Sequence, residues 1–149
     1  MMMRKTLSLS QLGSIKNTPI VFDANIWIFV MAYCNAESSK TASYSQMQSD
    51  LIKSGCEIVA LKEVVFEVFN RCVKFEFDLV CDQDPSLKKQ FKKYRSSREF
   101  KAIMESVRDT CLHIVEDNRF VSFEDDLSTV SEYVKGAALG EMDCTDLVI

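Results

Sequence analysis

Short apolar runs alternate with longer stretches whose apolar positions recur at helical spacing, and this alternation predicts an α/β chain. Ile20-Val21-Phe22 reads as a first buried strand, and Ile26 to about Tyr33 as the helix after it. A second helix fits residues 42–54, with Tyr44, Met47, Leu51 and Ile52 on one stripe and Gly55 as its C-terminal stop. Ile58-Val59-Ala60-Leu61 reads as a second strand. Strand, helices and strand in that order make a βαβ unit, which requires a parallel sheet. From Glu63 a helix runs to about Phe75, with Val65, Val68, Phe69 and Cys72 at helical spacing.

Asp82-Gln83-Asp84-Pro85-Ser86 predicts a turn, because proline restricts the residue before it and favours a helix start after it. Helical stretches follow at about 86–95 and 98–115. Asn118 breaks the pattern, Phe120-Val121-Ser122-Phe123 reads as a third strand, and a helix fits about 126–138. Gly140 ends that helix and Asp143 opens a last element, which Ile149 interrupts after a few residues. A parallel sheet normally gains another strand after such a helix, so either the domain is unusually short or, the favoured expectation, the polypeptide continues beyond Ile149. Residues 4–17 are polar and predict a loose arm.

A length of 149 residues fits one domain over residues 1–149, and four Gly and two Pro leave little room for flexible linkers. No apolar run approaches the roughly 18 residues of a membrane helix, so no membrane partner is expected. The start, Met1-Met2-Met3-Arg4-Lys5, leads into Ser-rich polar sequence without a secretory core. The six Cys form no C-x-x-C pair and mostly sit among apolar residues. They read as buried reduced thiols of a cytoplasmic protein. A single His makes a zinc site unexpected. His113, between Leu112 and Ile114, reads as structural, and Trp27 as core or part of a homodimer contact. The net charge of -4 speaks against a general nucleic-acid binder, although local clusters outweigh the sum.

Three acidic positions carry the candidate chemistry. Asp23 follows the first strand, at the sheet edge where open α/β folds bind ligands. It is equally placed to cap the next helix. Asn25, two residues on, could orient its carboxylate. Glu67 shares one side of its helix with Glu63, Asn70 and Arg71, and could instead form an i,i+4 pair with Arg71. Asp143 and Asp146 fit the N-cap and N3 positions of the last helix, roles that coexist with metal binding. Carboxylates gathered at one edge repel unless a cation sits among them. An all-oxygen cluster suits Mg²⁺ or Mn²⁺, ions that promote phosphodiester hydrolysis.

At these residues the sequence resembles the PIN domain, a metal-dependent nuclease family that includes the VapC-type toxins of bacterial toxin–antitoxin systems. Val21-Phe22-Asp23-Ala24-Asn25-Ile26-Trp27-Ile28 is similar to the family's opening motif, an Asp and an Asn set among apolar residues. Leu61 to Arg71 resembles the second motif, a Glu on the helix after strand two, and Asp146-Leu147-Val148-Ile149 the third. The resemblance implies a three-layer α/β/α fold with a short parallel sheet, whose C-terminal strand would follow the last helix, beyond Ile149. It implies an endoribonuclease that hydrolyses RNA with Mg²⁺ or Mn²⁺, the toxin of a toxin–antitoxin pair. Asp23, Glu67 and Asp146 would be the metal-binding acids, with Asp143 as auxiliary and Asn25 as support.

The middle departs from a minimal member of that family. Residues of about 76–118 read as a helical insertion in which Lys88, Lys89, Lys92, Lys93, Arg95, Arg98 and Lys101 concentrate. Leu87, Phe91 and Tyr94 form its apolar stripe. The basic side is a solvated face, a phosphate-tracking surface for RNA, or a dock for an acidic partner such as an antitoxin tail. Two alternatives to the nuclease remain: a catalytically inactive RNA- or protein-binding module, and a phosphatase-type domain in which Asp23 takes the phosphoryl group. No Gly-rich phosphate loop or nucleophile elbow is present.

Overall fold

In the computed structural model, residues 8–121 and 134–135 are described. Within the polar N-terminal stretch a 3-10 turn at Leu9–Ser14 leads into strand β1 (Pro19–Val21). Asp23 then starts helix α1 (Ala24–Val30), and helix α2 (Ser38–Lys53) returns the chain to strand β2 (Glu57–Leu61). Helix α3 (Lys62–Gln83) follows β2 without a loop. A 3-10 turn at Pro85–Leu87, the short helix α4 (Phe91–Tyr94) and helix α5 (Arg98–Asp117) lead to strand β3 (Arg119–Val121). The sheet order is β1-β2-β3 and both pairings are parallel, with Val21 opposite Val59 and Leu61 opposite Val121. The result is a small, mostly helical α/β fold, as the strand–helix alternation predicts.

The core forms where α3 meets its neighbours. Val65, Val68, Phe69 and Cys72 are buried on one face of α3, against Phe100, Val107 and Cys111 of α5 and Phe22 and Trp27 near α1. An aromatic cluster closes the far end, with Phe77 of α3 5.0 Å from Phe91 and 6.1 Å from Phe100 in tilted or edge-on geometry. The apolar stripe of Leu87, Phe91 and Tyr94 packs against this cluster. Val134, in a helical position, is also fully buried.

Several boundaries differ from the sequence reading, each for a local reason. Helix α1 stops at Val30 rather than near Tyr33. Its end is a Schellman closure: Ala32 N–H donates to Phe29 O and Tyr33 N–H to Ile28 O, with Ala32 in the left-handed region. Helix α3 runs past Phe75 to Gln83, because Phe77 and Cys81 continue its buried stripe. The helix expected over 86–95 shrinks to a 3-10 turn and four residues, interrupted by Lys89 at a φ of 68°. Ile52, placed on the apolar stripe of α2, is instead 55% exposed. No described helix is long and apolar enough to cross a membrane.

Candidate functional site

Asp23 lies two residues beyond β1, at the C-terminal edge of the parallel sheet. Its Oδ1 accepts a 2.9 Å hydrogen bond from Ile26 N–H, so it is the N-cap of α1. The cap occupies one carboxylate oxygen, and the residue stays exposed. The buried Phe22 and Ala24 on either side fix where the carboxylate emerges. Asn25, one residue into α1, is exposed too.

Glu67 emerges on the exposed side of α3, between the buried Phe66 and Val68. Arg71, one turn later, places Nη1 3.9 Å from Glu67 Oε1, the i,i+4 pair expected from the spacing. The same Nη1 donates a 2.7 Å hydrogen bond to Asn25 Oδ1. One guanidinium therefore joins the start of α1 to the exposed face of α3. Asn25, Glu67 and Arg71 form one polar group at the sheet edge, with Asp23 two residues from Asn25. Glu63 is exposed in the first turn of α3, and Asn70 is half-buried.

Asp143 and Asp146 lie outside the described residues, as does Cys144. Among the described residues, no group of three or more His, Cys, Asp or Glu side chains converges as a metal cage. The donors present are oxygens open to solvent, the type that a hard divalent cation takes.

The basic segment lies farther along α3. Its helix α4 packs on Phe77, ten residues beyond Glu67, which is about 15 Å along a helix axis. Lys88, Lys89, Lys92, Lys93, Arg98 and Lys101 are exposed. Arg95 departs from the expected basic surface, since it is 8% exposed and its guanidinium lies 5.9 Å from the Phe91 ring centre. It falls on the side of α4 that packs inward, where the ring covers it. His113 is exposed on α5, 3.9 Å from Asp117 one turn later. Trp27 is core, 2% exposed and 5.2 Å from Phe22.

Two features beside the site went unseen in the sequence. Lys62 is buried at the first turn of α3, where β2 ends, although its type predicts exposure. Beyond Arg71, Tyr33 Oη donates a 2.8 Å hydrogen bond to Glu76 Oε1, and Cys34 Sγ lies 3.8 Å from Cys72 Sγ. Burial, then the Glu76 carboxylate, pushes the Tyr33 phenol well above its ordinary value. Burial likewise raises both thiols, while the Arg71 charge acts in the opposite direction on each. These pairs join segments about forty residues apart, so sequence spacing holds no trace of them.

No family model matches this sequence, and no curated protein or solved structure matches it either.

Proposed function

We propose that this chain is a divalent-metal-dependent endoribonuclease of the PIN type, acting as the toxin of a toxin–antitoxin pair. The observation that supports this most is Asp23, exposed at the C-terminal edge of a parallel sheet, with Glu67 exposed on the helix that follows β2. Asp23 and Glu67, with Asp143 and Asp146, would hold Mg²⁺ or Mn²⁺, and an all-oxygen donor set fits those ions. A bound cation supplies Lewis acidity toward a phosphodiester. The chain's own residues would do the rest. The Ile26 N–H fixes one oxygen of Asp23, and the other would be available as a metal ligand. Arg71 fixes the Asn25 amide and would present its remaining N–H donors to phosphate oxygens. Lys88, Lys89, Lys92 and Lys93 would hold the RNA strand beyond the cleaved bond.

The test is cleavage of RNA by the purified protein with Mg²⁺ or Mn²⁺, with EDTA, and after Asp23→Asn. Metal-dependent cleavage that Asp23→Asn abolishes supports the reading. Equal cleavage by mutant and parent at saturating Mg²⁺ overturns it.

One observation favours a second reading, an inactive RNA- or protein-binding module. The Arg71 guanidinium already stands beside Glu67, where a metal cation would be needed. That reading expects RNA binding that depends on the exposed lysines of the 88–93 segment and is indifferent to divalent metal.

A further inference from the structure

The seam between α1 and α3 carries two thiols that the nuclease reading does not use. Cys34 sits in the turn between α1 and α2, in left-handed backbone at a φ of 55°, with Asn35 alike at 52°. Cys72 lies on α3 directly after Arg71 and is fully buried. Their sulfurs are 3.8 Å apart across 38 residues of sequence. A disulfide is about 2.05 Å long, so the sulfurs need to approach by roughly 2 Å. Cys34 is half-buried and the solvent-facing member of the pair, whereas Cys72 and Cys111 are both at 0% exposure.

We propose that Cys34 and Cys72 are a reversible disulfide site that, when oxidised, clamps the turn after α1 to α3 beside the Arg71–Asn25 bridge. The oxidant is a small-molecule disulfide such as oxidised glutathione. Cys34 loses its proton to solvent, and its thiolate attacks one sulfur of the small disulfide. The sulfur–sulfur bond breaks, and one small thiolate leaves and takes up a proton. Cys72 then gives up its proton, its thiolate attacks the Cys34 sulfur of the mixed disulfide, and the second small thiolate leaves and takes up a proton. The two protein thiols lose two electrons and two protons, and one small disulfide becomes two thiols. A reducing cytosol keeps such a pair open, so the bridge reports a shift toward oxidation.

The site needs no nuclease activity to be tested. The full chain is equilibrated with oxidised and reduced glutathione, quenched with acid, alkylated and mapped by mass spectrometry. The expected product is a Cys34–Cys72 linkage, two hydrogens lighter than the dithiol and reversed by dithiothreitol. Closing this loop is expected to raise Tm by roughly 5–10 °C. Both effects should vanish in Cys34→Ser and persist in Cys111→Ser. Should Cys72→Ser fail to fold, Cys34→Ser alone decides, because that position is half-exposed. Glutathione retained on Cys34 without a linkage, or the same oxidative rise in Tm after Cys34→Ser, overturns the proposal.

Discussion

Arg71 Nη1 donates a 2.7 Å hydrogen bond to Asn25 Oδ1 across 46 residues of sequence. The bond ties the first turn of α1 to the middle of α3 at the edge where the candidate acids emerge. Both residues are exposed, so solvent competes with the bond and its stabilising effect is modest. A double-mutant cycle with Asn25→Ala and Arg71→Ala should return a coupling of about 0.5–1 kcal/mol in urea unfolding. Strict additivity of the two substitutions would mean that the bond does not persist in solution.

Asp23 combines a structural role with a proposed chemical one, and two substitutions separate them. Asn caps helices about as well as Asp, so Asp23→Asn should change stability by less than about 0.5 kcal/mol. Asp23→Ala should cost about 1 kcal/mol by leaving Ile26 N–H without its acceptor. RNA cleavage should fall at least about 100-fold in both, since even outer partners of a metal site are worth 10–100-fold. Activity that tracks stability rather than the carboxylate would assign Asp23 to capping alone.

Alkaline pH should weaken the fold. Burial and Glu76 raise the Tyr33 phenol above its ordinary 10.0, and burial raises Cys34 and Cys72 above 9.0. The folded state then keeps protons that the unfolded chain releases, so stability is intact below about pH 9 and falls as pH rises beyond it. The urea midpoint should drop from pH 8 to pH 11, and Tyr33→Phe should flatten the part of that drop above pH 10. A midpoint that rises or stays level over this range would contradict the assignment.

The ends of α1 and α2 invite opposite substitutions. Both helices close with the Schellman pattern, α2 through Gly55 at a φ of 78° and α1 through Ala32 at 54°. A Cβ at Gly55 would run into the Asn17 side chain as well as strain the backbone. Gly55→Ala should therefore cost about 1–3 kcal/mol, and Ala32→Gly should be neutral or stabilising by about 0.5 kcal/mol. Thermal melts of the two variants test the pair, and a loss of Tm in Ala32→Gly would count against it.

These two helix ends show what was legible in the sequence. The glycine after α2 marked its stop, because glycine is the ordinary left-handed residue there. The alanine after α1 carried no such mark, so the predicted helix ran three residues too long. The helical spacing of Val65, Val68, Phe69 and Cys72 marks the face of α3 that the structure buries, and Phe77 and Cys81 continue that face beyond the expected end near Phe75. Arg95 was grouped with the exposed lysines because its charge is visible in the sequence and its cover by Phe91 is not.

Local spacing by itself determined the order of strands and helices, the parallel sheet, the i,i+4 partners Glu67 and Arg71, and the place of Asp23 at a strand end. Each of these depends on residues a few positions apart, or on connections too long for hairpins, and periodicity encodes both. Tertiary structure alone decided that Arg71 reaches Asn25, that Cys34 meets Cys72, that Tyr33 finds Glu76, and that Lys62 and Arg95 are buried. Those contacts arise when α3 packs between α1 and α5, and apolar burial drives that packing without regard to separation along the chain.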